Sequence, residues 1–128
     1  MHSVWPSAVR PGERTVAAGP TTPGMVREMA FAGDDRWVGF VRSEAGVRSG
    51  WHHHGATDTY FYVLRGVIEL EFGPGGRERL RVEAGDFAHV PRGVIHREGT
   101  TLDEPGELAL VRIGSGAPVV NVEGPEPE

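Results

Sequence analysis

An all-β fold is predicted for these 128 residues from three observations. Nineteen Gly and ten Pro are spaced along the chain rather than clustered, so they interrupt any long helical pattern. The apolar text between them comes in short runs rich in Val, Phe, Tyr and Ile, the composition of half-buried strands. One run alternates without exception, setting Ile68, Leu70 and Phe72 against Glu69 and Glu71, which predicts three inward apolar side chains and two surface carboxylates. The length suits one domain, and no stretch approaches the roughly 18 apolar residues of a membrane span.

The order of elements follows from the turn signals. Strands are expected over Met25 to Phe31, Trp37 to Ser43, Gly50 to His54, Thr59 to Leu64, Val67 to Phe72, Arg77 to Val82, Asp86 to Val90 and Glu107 to Ile113. Each is bounded by Gly, Pro or Asp-rich turns. Gly73-Pro74-Gly75-Gly76 supplies the positive-φ positions of a tight reversal, with no Lys behind it to make a phosphate loop. Residues 1–23, with four prolines, form an amino-terminal arm that is expected either to lie along the barrel or a partner subunit, or to be disordered. Residues 24–115 are the domain, and 116–128 are an acidic tail whose last six residues are expected to be disordered. Eight strands at this spacing indicate a sandwich or barrel.

Composition narrows the chemistry. There is no Cys, which excludes disulfides, thiolate catalysis and cysteine-ligated metals. All thirteen basic residues are Arg, so no Schiff-base or P-loop lysine exists. The formal charge of −5 argues against nucleic acid or anionic membrane as partners. The start, Met1-His2-Ser3-Val4-Trp5-Pro6, lacks a cationic region followed by an apolar one, and a cytoplasmic location is the expectation.

Three of the six histidines are adjacent, in Trp51-His52-His53-His54-Gly55. On a strand, His52 and His54 project to one face with Cα atoms about 6.5 to 7 Å apart, while His53 points away. Two imidazoles so placed can converge on one metal ion without bending the backbone. A second cluster reads Gly85, five residues, Pro91, one residue, Gly93, two residues, His96.

Together these segments resemble the two-motif signature of the cupin superfamily. In its first motif a glycine precedes H-x-H, as Gly46 does here with five residues between it and His52, and a later glycine closes the hairpin, as Gly66 does here. The resemblance spans Gly46 to Thr100 and implies a single-domain, cupin-type jelly-roll β-barrel. It also implies a divalent metal held by His52, His54 and His96, two from one strand and the third from a strand across the barrel. The family's carboxylate slot is ambiguous, because counting back from Gly66 gives Thr59 whereas counting on from His54 gives Asp58. Asp58 would be a ligand only if the chain bulges near the start of its strand.

Asp58 and His89 are the candidate catalytic acid–base groups, and Tyr60, Tyr62 and Arg112 the candidate substrate-binding groups, with Arg48 a further candidate for an anionic substrate. Trp37, Trp51 and Phe40 are read as core or interface aromatics. With imidazole and carboxylate donors the metal could be Fe, Mn, Zn, Ni or Cu. Two enzymatic readings follow from the resemblance: a dioxygenase that binds an oxygenated substrate beside O₂, or a Lewis-acid isomerase, cyclase or lyase. A non-catalytic small-molecule-binding or sensing cupin is the alternative. The partners expected are a small-molecule substrate and a second copy in a homodimer, with an open barrel edge and the arm inviting pairing.

Overall fold

The computed structural model describes residues 5–17, 22–116, 119–125 and 127. Eleven strands are assigned among them: β1 (Thr15–Val16), β2 (Met25–Gly33), β3 (Arg36–Ser43), β4 (His52–His53), β5 (Asp58–Arg65), β6 (Val67–Phe72), β7 (Glu78–Glu83), β8 (Phe87–Val90), β9 (His96–Thr100), β10 (Gly106–Ile113) and β11 (Val120–Asn121). They form two antiparallel sheets, one in the order β1-β2-β3-β10-β5-β8 and the other β11-β4-β9-β6-β7. Successive strands repeatedly change sheet, which is the double-sheet jelly-roll arrangement.

Each of the eight expected strands is present, with small shifts at the ends. The bounds of the alternating run are those of β6, with Ile68 and Leu70 buried as expected. Inward positions of β3, β5, β6, β7, β8 and β10 build the core, which contains Val41, Phe61, Val63, Ile68, Leu70, Val82, Ala88, Val90, Leu108 and Leu110. Gly66 marks the corner where β5 leaves one sheet and β6 enters the other. Its φ of +77° favours glycine, and a Cβ there would collide with the carbonyl oxygen of Pro105.

Three strands lie outside those eight: β1 and β11 were not expected, and β9 is the strand expected at His96, without a given extent. β1 places part of the arm on the edge of the first sheet, pairing Thr15 with Met29 and Val16 with Glu28. β11 adds part of the tail to the other sheet, pairing Val120 with His53 and Asn121 with His52. The Val122 amide extends this contact by donating to the Trp51 carbonyl at 3.0 Å. The expected disorder of the last six residues falls partly on 126 and 128, which lie outside the described residues, as do 1–4, 18–21 and 117–118. The third strand, β9, joins β4 to β6 and carries most of the chemistry described below.

Glu71 corrects the expectation of an open surface. Its side chain is buried beneath three arginines: Arg97 donates through Nε at 2.8 Å, Arg48 lies at 3.0 Å and Arg79 at 3.6 Å. The Arg97 hydrogen bonds hold its carboxyl below the usual range, outweighing the opposing effect of burial. The three aromatics divide: Trp37 packs against the core, whereas Trp51 lies under Arg97 and Phe40 under Arg14 and Arg42.

Candidate metal centre

β4 and β9 are hydrogen-bonded neighbours, and His52 is the register partner of His96. The third imidazole therefore comes from the adjacent strand of the same sheet rather than from across the barrel. His54 follows directly after β4, where its carbonyl accepts hydrogen bonds from the Thr57 amide at 3.0 Å and the Thr57 hydroxyl at 2.6 Å. These bonds tie the turn at Gly55 and hold His54 inward. His52, His54 and His96 are all buried, and their candidate ligand atoms lie within 4.8 Å of one another. The ring centroids are 5.0, 4.3 and 5.1 Å apart for the pairs 52–54, 52–96 and 54–96. His53 faces away, accepting a hydrogen bond from the Gly55 amide at Nδ1 (3.0 Å).

The hydrogen bonds select a tautomer. His52 Nδ1 lies 2.9 Å from the Gly50 carbonyl and His96 Nδ1 lies 3.0 Å from the Val94 carbonyl. A carbonyl accepts only, so both Nδ1 atoms donate, which leaves Nε2 of each neutral ring with its lone pair. Such fixed orientation by a backbone carbonyl is the usual support for a metal-binding histidine. The Nε2 of His96 is buried with no hydrogen-bond partner among the described residues. A buried polar atom of this kind calls for a ligand to satisfy it.

Glu98 completes the cluster. Two residues beyond His96, it shares that residue's face of β9, and its carboxylate oxygens lie 3.6 Å from both His52 Nε2 and His96 Nε2. That is too long for a good hydrogen bond but close to the edge of about 3.4 Å of a tetrahedron with bonds near 2.1 Å. Burial acts to raise the Glu98 pKa, but the close approach of His96 and the charges of His96, His52 and His54 prevail and hold it at about 2. His52 is pushed down by burial, whereas His96, also opposed by burial, is pulled up by Glu98. Three imidazoles make a donor set that suits a divalent transition ion, with the Glu98 carboxylate beside them, and the residues present fit such a group.

These residues line a cavity of about 330 Å³, at the lower end of small-molecule sites. Its walls include Phe61, Ile68, Leu108 and Leu110, with Thr22 of the arm and Val119 and Asn121 of the tail also contributing. Arg112 lines it too, buried to 7 % exposure, and the loss of solvent and the charge of Arg27 bring its pKa down to about 10.

The other candidates lie elsewhere. Pairing of β5 with β8 runs regularly from Thr59–Val90 to Tyr62–Phe87, so no bulge turns Asp58 inward and Thr59 occupies the cavity-facing slot. Asp58 accepts hydrogen bonds from Arg92 Nη2 at 2.8 Å and from His89 Nε2 at 3.0 Å, and these, Arg92 first, lower its pKa. Tyr60 stacks on His89 with ring centroids 4.4 Å apart, and Tyr62 packs on Phe87. Asp58, His89, Tyr60 and Tyr62 thus share the outer face of the first sheet, away from the histidine cluster. Arg48 is engaged by Glu71, also away from the cavity. The carboxylate that sequence reasoning missed is Glu98, and its signal was present: His96-x-Glu98 has the same spacing as His52-x-His54.

A family profile described as the cupin domain matches residues 39–124. The polyketide cyclase RemF from Streptomyces resistomycificus superposes with a TM-score of 0.76 at 18 % identity, over 92 % of this chain and 86 % of that one. KdgF from Halomonas sp. gives a TM-score of 0.67 at 22 % identity, over 85 % of this chain and 94 % of that one. Among curated sequences, the uncharacterized protein YdbB of Bacillus subtilis (strain 168) is 36 % identical over 47 residues, 37 % of this chain and 40 % of the relative's length. No described helix is long and apolar enough to cross a membrane.

Proposed function

Because the chain belongs to the cupin family, we propose that it is a metal-dependent enzyme acting on a small oxygenated organic molecule by proton transfer, in an isomerisation, cyclisation or lyase step. His52, His54 and His96 hold the divalent ion, and Glu98 supplies a carboxylate beside it. The observation that carries this reading is the buried Nε2 of His96, which has no hydrogen-bond partner among the described residues and lies between His52, His54 and, at 3.6 Å, Glu98. The ion supplies Lewis acidity, which makes a C–H next to a carbonyl more acidic.

The chain's own residues do the rest. The carbonyls of Gly50 and Val94 keep the imidazoles aimed inward, so that the site needs little reorganisation. Phe61, Leu108 and Leu110 exclude water from the substrate's carbon skeleton. Glu98, the carboxylate among the cavity-lining residues, takes the proton at one oxygen and returns it at a neighbouring atom. The likeness to a protein described as a polyketide cyclase agrees with this class of chemistry.

The test is solvent-deuterium exchange, followed by NMR, into a panel of small ketones and β-dicarbonyl compounds with protein loaded in turn with Zn(II), Mn(II) and Fe(II). Exchange that needs metal and is lost in Glu98→Gln is the expected result. Oxygen uptake without exchange would instead assign the dioxygenase reading, and binding without either would assign a carrier or sensor.

A further inference from the structure

Thr59 Oγ1 and Arg112 Nε are likewise buried without a hydrogen-bond partner among the described residues, and both residues line the same cavity. They are not scattered. Thr59 and Arg112 are direct cross-strand partners on β5 and β10, so their side chains stand next to each other on the inner face of the first sheet. Both are more than nine-tenths buried, at 3 % and 7 % exposure. A buried hydroxyl and a buried guanidinium side by side, each short of an acceptor or donor, are costly unless something in the cavity completes them.

The charge balance says what that something is. Arg112 sets a buried positive charge in the cavity wall, and the negative charge of Glu98 is directed at the histidines. A divalent ion at the histidines would make the cavity more positive still. We propose that the Thr59–Arg112 pair is an anion subsite that selects a carboxylate-bearing substrate and holds it beside the histidine cluster. A guanidinium presents donors in a planar fork that matches the two oxygens of a carboxylate, and the Thr59 hydroxyl donates to one of them. Arg112 is restrained by packing near the Trp37 ring, 5.4 Å from its centroid, so little side-chain entropy remains to be lost on binding. The apolar wall formed by Phe61, Leu108 and Leu110 accommodates a compact hydrocarbon body.

This inference deepens the enzymatic reading and rests on it for the word substrate, but the subsite itself can be measured without metal. The probes are benzoate and its neutral isostere benzamide, titrated by calorimetry into chelator-treated and metal-loaded protein at about pH 8, where free histidines are neutral. Benzoate is expected to bind both forms roughly tenfold to a hundredfold more tightly than benzamide. Arg112→Gln should remove that preference, Arg112→Lys should restore part of it, and Thr59→Val, which preserves shape, should weaken benzoate severalfold while leaving benzamide unchanged. Equal affinity for the two probes in the unaltered protein, no binding of benzoate, or Thr59→Val and Arg112→Gln proteins that bind benzoate like the parent would each overturn the proposal. Failure to bind metal in a separate titration would instead strike the enzymatic reading and leave the anion subsite standing.

Discussion

Metal binding should appear as added stability, and the size of the effect follows from the arrangement of the histidines. A ligand that binds the folded chain alone stabilises it by RT ln(1 + [L]/Kd), about 2.7 kcal/mol at a hundredfold excess over Kd. For a domain of this length each kcal/mol moves the melting temperature by about 3 to 4 °C, so Zn(II) or Mn(II) should raise it by roughly 10 °C. His96→Ala removes one of the three ligands and leaves His52 and His54. Loss of a supporting partner alone costs up to about a hundredfold in affinity, and loss of the ligand should cost at least that. At the same metal concentration the stabilisation then falls to about 0.4 kcal/mol, a shift of roughly 1 to 2 °C. His53→Ala is the control, since that ring points away and bonds the Gly55 amide. The assay is thermal unfolding with and without metal for each variant, so that any effect of the substitution on the metal-free fold cancels. An unaltered shift in His96→Ala, or a shift lost in His53→Ala, would refute the assignment.

Three further outcomes follow. Glu71→Gln should lower stability by about 2 kcal/mol in denaturant unfolding, because it neutralises the carboxylate that gathers Arg97, Arg48 and Arg79. As the folded Glu71 pKa lies below the ordinary 4.5, its contribution is complete above that value and disappears as pH falls through the folded one; the gap between parent and Glu71→Gln should close on acidification and not on alkalisation. Asp58→Asn should leave metal affinity unchanged by calorimetry, because that carboxylate bonds Arg92 and His89 on the outer face; a drop of tenfold or more would place it back at the centre. Gly66→Ala should cost about 2 to 4 kcal/mol by chemical denaturation, since the left-handed corner and the Pro105 carbonyl both oppose a Cβ.

What could be read from the residues alone depended on where apolar alternation survives. β6 was legible to the residue because Ile68 and Leu70 face the core and Glu69 and Glu71 do not. β9, expected as a strand at His96 only through the motif, had no readable extent for the opposite reason: the residues it turns inward are His96 and Glu98, so a strand that lines the site carries no hydrophobic period. Its pairing with β4 was hidden with it, which is why the third histidine was expected across the barrel. β1 and β11 are two residues long, too short for any periodicity, and exist by pairing with strands already in place. The burial of Glu71 was equally out of reach, because it is made by Arg97 and Arg48 from other segments.

The choice between Asp58 and Thr59 shows how strongly one register decides the chemistry. Spacing from His54 favoured a carboxylate and spacing from Gly66 a hydroxyl, and a slip of one residue reverses every side chain of β5. The observed register buries Thr59, Phe61 and Val63 together and leaves Asp58, Tyr60 and Tyr62 outside. The alternative would have buried Asp58 and two phenols while exposing Phe61 and Val63, an exchange that loses apolar burial and forces a charge inward. Packing at the apolar end of β5 therefore sets what stands at its polar end. The same holds for β10, where Leu108 and Leu110 anchor the core and Arg112, one step further along the same face, is carried into the cavity. Burying an arginine in this way is costly unless negative charge compensates it, so the hydrophobic register that builds the barrel also places the group on which the proposed anion subsite rests.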